Sequence, residues 1–92
     1  MTQQYLVGQF SMLLGDLERT AAQWRPAVHG LRLEVESTPP AMLPELANKA
    51  MELTDTICWA ALQRADVTLF CRCAKAAAAL GEFIDSAGLS RH

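Results

Sequence analysis

Apolar residues recur at seven-residue intervals through the first third of this chain, at Phe10, Leu17, Trp24 and Leu31. Leu6, Leu13, Ala21, Val28 and Val35 interleave with them, so that the spacing alternates between three and four. An α-helix turns once in about 3.6 residues, and this alternation therefore keeps every one of these side chains on one face. The stripe predicts helix over residues 4–36. Two residues contest it. Pro26 has no N–H to bond to residue 22 and its ring clashes there, at ~3 kcal/mol inside a helix. Gly30 costs about another 1 kcal/mol relative to Ala. Because the apolar phase runs unbroken through both, the expectation is one long first helix kinked near Pro26. A break there, with Pro26 restarting the helix at its first position, would give four helices instead of three.

Ser37, Thr38, Pro39 and Pro40 end the pattern, since each proline pushes its predecessor out of the α region. A loop is expected over 37–43. The second helix is expected over 44–65: Pro44 suits a first position and Glu45 favours the positive end of the dipole. Leu46, Ala50, Leu53, Ile57 and Ala60 then repeat at helical spacing, as do Phe70, Cys73, Ala77, Leu80 and Ile84 in a third helix over 67–86. Neither glycine nor proline falls between Pro44 and Gly81. One helix over 44–86 would be roughly 64 Å long at about 1.5 Å per residue, too long for a small domain. The apolar phase slips near residue 66 and Asp66 is a good N-cap, so a tight turn is expected at Ala65 and Asp66. Segment 62–67 is similar to the hinge of helical-hairpin repeats; with no second copy in the chain, that likeness implies a local turn and no repeat array. The fold class is all-α, an antiparallel three-helix bundle (four helices if the first breaks at Pro26) forming a single domain over residues 1–92.

The helix faces carry the most information. A helix covered on one side needs an apolar arc of a little over ~100°. Tyr5, Met12 and Leu33 point away from the stripe of the first helix. Met51, Cys58 and Leu62 widen the second to an arc of about 200°. Leu69, Ala76 and Phe83 widen the third. That surplus exceeds what two neighbours in a small bundle cover, and it leads us to expect a two-fold homodimer completing a larger bundle. The alanine run 76–79, with Cys73 and Ala74, would let helices approach closely. Trp59 sits with Asn48, Glu52 and Asp55 at the edge of the apolar arc, beside Leu62, as interface anchors do. The interface candidates are therefore Trp59, Leu62, Met51, Leu69 and Phe83. Trp24, in register with Phe10, Leu17 and Leu31, reads as core.

Composition narrows the remaining classes. The chain has 92 residues, 51% hydrophobic and 20% charged, which is too apolar for disorder. Eight basic against ten acidic residues give no electrostatic case for nucleic acid or an anionic membrane surface. Apolar runs such as 57–62 fall far short of the ~20 residues of a membrane span. The stretch 5–14 lacks the preceding positive charge and following cleavage site of a signal peptide. Three cysteines, Cys58, Cys71 and Cys73, cannot all pair within one chain. A reducing cytoplasm is the expected compartment.

Candidate chemistry is sparse. Cys71 and Cys73, two apart on a helix, project about 200° from each other and cannot share a metal. His29 and His92 stand at no ligand spacing to any cysteine. Glu52 and Asp55, three apart, share a face and can hold a divalent cation. All-helical nucleotide pyrophosphohydrolases use such an ExxD pair together with an EExxE cluster; here Glu34 and Glu36 have the wrong spacing. A chorismate-mutase-like site would need converging cations, whereas Arg25, Arg32, Lys49, Arg64 and Arg72 spread over different faces. Arg64 is expected to lie along the core face of its helix and cap carbonyls there. Glycine-rich phosphate loops and nucleophile motifs do not occur. The expected function is non-enzymatic: a protein without cofactor or metal that acts through protein contacts as a homodimer. One alternative is a module receiving a helix from a different protein. The other is a small metal-dependent hydrolase built on Glu52 and Asp55.

Overall fold

The computed structural model of the chain describes residues 3–89 and holds four α-helices among them. They are α1 (Gln3–Thr20), α2 (Arg25–Ser37), α3 (Leu43–Gln63) and α4 (Val67–Ser86). The expected continuous helix over 4–36 is thus two helices, and the chain breaks before Pro26 instead of kinking at it. Ala21 leaves the helical region at φ −115°, ψ 74°, and a 3₁₀ turn over Ala22–Trp24 leads into α2. Pro26 then falls in the first turn of α2, where its missing N–H is one that no helix satisfies internally. The seven-residue recurrence survives because each half carries its own stripe. Doubling back lets Phe10, Leu14 and Leu17 bury against Val28, Leu31 and Val35, which a straight rod would leave apart.

Contacts across the helix pairs show each helix antiparallel to the next. Glu18 meets His29 and Arg32 while Ser11 meets Glu36, which fixes α1 against α2. Lys49 Nζ lies 3.5 Å from Glu34 Oε2 across α2 and α3. Phe10 and Phe83 close the ring between α1 and α4, their centroids 5.7 Å apart and planes tilted by 58°. The result is an up-down-up-down four-helix bundle whose axis is filled by one apolar cluster. Thr54, fully buried, satisfies its hydroxyl by donating to the Ala50 carbonyl at 2.7 Å.

The two connections within 37–43 and 64–66 differ in kind. Pro39 is extended, a 3₁₀ turn covers Pro40–Met42, and α3 starts at Leu43 with Pro44 in its first turn. The Ala65 and Asp66 turn is where the sequence predicts it. Ala65 adopts the left-handed conformation at φ 57°. Its N–H donates to the Leu62 carbonyl at 3.0 Å, and that of Asp66 to the Ala61 carbonyl at 2.9 Å, the two bonds of a Schellman cap. The Asp66 carboxylate accepts from the Leu69 N–H at 3.1 Å and opens α4. Arg64 does not lie on the core face. It is exposed at the end of α3, and its Nη1 donates to Gln23 Oε1 at 2.6 Å, tying the two turns together. Among the described residues no helix is long and apolar enough to cross a membrane. His92 lies outside the described residues.

Candidate interaction surface

The four helices form two antiparallel hairpins, α1–α2 and α3–α4, and their outer faces are built from different chemistry. On α1–α2, Glu18 is only 14% exposed and receives Arg32 Nη1 at 3.1 Å, with His29 Nδ1 also at 3.1 Å. Arg32 Nε donates to Ser11 Oγ at 3.1 Å, and Ser11 in turn donates to Glu36 at 2.7 Å. Gly15 lies beside this network, and a methyl group built there would stand 3.5 Å from the Arg32 guanidinium, in ordinary contact. Arg19 pairs with Asp16 nearby. These charges are matched within the chain, whereas Arg25 is exposed on α2 in no ion pair among the described residues, and Tyr5, Met12 and Leu33 are the large apolar exposures of the two helices.

On α3–α4 the seam is apolar. The Cys58 and Cys73 side chains meet across it. Burial pushes the Cys58 thiol above its ordinary value of 9.0, the Asp55 charge adds to this, and the hydrogen bond with Cys73 partly offsets it. Burial raises Cys73 as well, followed by the proximity of Cys58. Both thiols stay protonated at neutral pH and act as small apolar groups. The sequence separates Cys73 from Cys71 but carries no signal of this contact with Cys58. Cys71 is exposed and points elsewhere, as residues two apart on a helix must.

The seam fixes the rotation of both helices. At 100° per residue, the side turned outward next to it carries Asn48, Asp55, Trp59 and Leu62 on α3. On α4 it carries Val67, Cys71, Ala74, Lys75 and Ala78, and all nine of these residues are exposed. Trp59 is 64% exposed, Leu62 50% and Val67 70%. Trp59 and Leu62 share a face three residues apart, and Val67 follows immediately beyond the turn. Val67 is absent from the sequence-based candidates because an apolar residue in the first turn of a helix resembles the start of the core stripe. Its position directly after the Asp66 cap was the available signal.

The other three candidates go elsewhere. Met51, Leu69 and Phe83 are half-buried and pack against the bundle's own core. Phe83 also lines an open groove of about 340 Å³ between α1 and α4, with Leu6 and Leu13 along it and Tyr5, Gln9 and Glu82 around it. Glu52 and Asp55 share the solvent side of α3, as their spacing requires, and both are exposed. Among the described residues no group of three or more His, Cys, Asp or Glu is placed to hold a metal ion. No model of a known protein family matches the chain, and comparison with curated proteins and with solved structures returned no match.

Proposed function

We propose that this protein is a non-enzymatic helical interaction module that self-associates through the outer face of α3–α4, forming a two-fold homodimer. The observation that carries the reading is the exposure of Trp59, Leu62 and Val67 together at one end of a hairpin whose fourth helix offers Ala74 and Ala78 beside them. Full burial of a large apolar side chain is worth ~1.5–3 kcal/mol. Tryptophan is enriched among the few residues that carry most of an interface's binding energy. Three such exposed groups on one face favour covering it, and the same face on a second copy is the simplest cover. A cytoplasmic setting fits three free cysteines, two of them packed as apolar groups.

Light scattering coupled to size exclusion tests this at tens of micromolar protein. The expected mass is twice 10.1 kDa. Trp59→Ala should return the chain to monomer while leaving its helical content unchanged. A wild-type chain that elutes as monomer throughout that range refutes the self-association. If a helix from a different protein is the occupant, wild type stays monomeric and only the hetero-complex depends on Trp59.

A further inference from the structure

Cys58 stands seven residues before Ala65 and Cys73 eight after it, one on each arm of the α3–α4 hairpin. Each helix rises about 1.5 Å per residue, so the two occupy the same rung above the turn. Their side chains meet there, inside the seam. The two sulfurs differ in access: Cys73 is fully buried in the core cluster, whereas Cys58 is half-buried at its edge. Small residues sit one turn away on both helices, Thr54 and Ala61 on α3 and Ala76 and Ala77 on α4, and let the backbones approach. A disulfide needs Cβ atoms about 3.5–4.5 Å apart, and two cysteines in contact on facing rungs are placed for it. Cys71 is exposed and projects about 200° from Cys73, so it does not compete for Cys73 within the folded hairpin.

We infer that Cys58 and Cys73 form a reversible cross-link, a redox-responsive staple joining α3 to α4, whose co-reactant is the disulfide of a low-molecular-weight thiol. The chemistry is thiol–disulfide exchange in two stages. Cys58, the accessible partner, gives its proton to water, and its sulfur attacks one sulfur of the small disulfide. That S–S bond breaks, one small thiolate leaves and takes up a proton, and Cys58 carries the other half. Cys73 then gives up its proton and attacks Cys58 Sγ, expelling the second small thiolate, which is protonated in turn. Two protein thiols are oxidised and one small disulfide is reduced to two thiols, with no electron or proton left over. The product closes a loop of about 15 residues, which removes conformations from the unfolded chain and stabilises the folded hairpin. Excess small thiol runs the same two stages backwards. The cross-link lies within one chain and is independent of self-association.

Only the thiolate attacks, and burial keeps both thiols neutral at pH 7, so the exchange is slow there. The test is therefore run at about pH 8.5, nearer the ordinary thiol range. Folded wild type and Cys71→Ser are incubated with oxidised glutathione, quenched with N-ethylmaleimide, weighed intact and digested with trypsin. Cuts after Arg64, Arg72 and Lys75 place the three cysteines on separate peptides. Cys71→Ser should end without retained glutathione, its 50–64 peptide joined to 73–75, and should melt roughly 10 °C above its reduced form. Wild type should give the same pair, with glutathione retained at Cys71 alone. Cys73→Ser, which removes the second attacking sulfur, should stop with glutathione on Cys58. Glutathione held on Cys58 while Cys73 stays free in folded Cys71→Ser would overturn the inference, because the seam then fails to bring the sulfurs together. An oxidised product that melts below the reduced form overturns it too, since the native seam is then not preset for the bond. So does a folded chain whose seam thiols stay unreacted while the same chain unfolded in urea is oxidised.

Discussion

The two hairpins of this bundle bury equivalent stripes against one core but finish their outer faces differently. In α1–α2 the outward seam is closed by Glu18, Arg32, Ser11 and Glu36, each satisfied by a neighbour within the chain. In α3–α4 the corresponding seam is closed by Cys58 and Cys73, and what lies outside it is Trp59, Leu62, Val67 and small residues, with Asp55 and Lys75 in no ion pair among the described residues. A face whose charges are already paired gains little from a partner. A face with exposed apolar area and unpaired charges of both signs gains on each count. On an all-helical surface without pocket chemistry, an interface is therefore expected at the hairpin whose outer face exposes large apolar side chains together.

Mutations at matched places on the two hairpins should act on different quantities. The largest effect on folding is expected at Glu18→Ala. It removes a carboxylate, itself only 14% exposed, that receives the more exposed Arg32 and His29, and bonds of this kind to charged groups are worth ~1.5–3 kcal/mol when undiluted by solvent. Allowing for the partial exposure of Arg32, we expect a loss of about 1–2 kcal/mol, a fall in Tm of roughly 5–10 °C, and no change in self-association. Leu62→Asp should do the reverse, abolishing the dimer at tens of micromolar while shifting monomer stability by no more than ~0.5 kcal/mol. A matching loss of stability in both variants would erase the distinction between the hairpins.

A smaller effect, of opposite sign, is expected at the hinge. The α3–α4 turn and the end of α4 use the same Schellman cap, and at the latter Gly88 takes the left-handed position at φ 69°. Ala65 occupies that position in the former and carries the Cβ strain of the left-handed region. Ala65→Gly should stabilise the chain by about 0.5–1 kcal/mol, read from urea unfolding, less the extra entropy glycine brings to the unfolded state. Destabilisation would show that the strain is already absorbed.

The smallest effect concerns the thiol seam. The folded-state pKa values of Cys58 and Cys73 are raised, so folding favours their neutral forms. Their contribution to stability is fully present below the ordinary thiol value of 9.0 and is lost as pH rises from there through the raised values. Unfolding free energy should thus be flat with respect to these groups near neutrality and decline above about pH 9. In Cys58→Ala with Cys73→Ala that alkaline decline should become shallower.

Much of this was legible in the residues, and what was not has identifiable physical causes. The Ala65 and Asp66 turn could be read because two independent signals, a phase slip and an N-capping carboxylate, agree there. The break at Ala21 could not, because a seven-residue recurrence is blind to a reversal that keeps register; Pro26 marked the neighbourhood but is tolerated in a first turn. The exposure of Trp59 and Leu62 could be read from their place at the edge of an apolar arc. Met51, Leu69 and Phe83 were indistinguishable from them by arc width alone, since which edge of an arc is covered depends on the rotation set by neighbouring helices. The Cys58 and Cys73 contact depends on that same rotation and on the pairing of helices, neither of which is a local property.

The contrast between the hairpins is tested most directly by an NMR dilution series from several hundred micromolar to a few micromolar, following backbone amide shifts residue by residue. Concentration-dependent shifts are expected at Trp59, Leu62, Val67, Cys71 and Lys75, with His29, Arg32 and Leu33 unmoved. Shifts concentrated on α1–α2, or a spectrum that does not change across the series in a chain that remains monomeric, would contradict it.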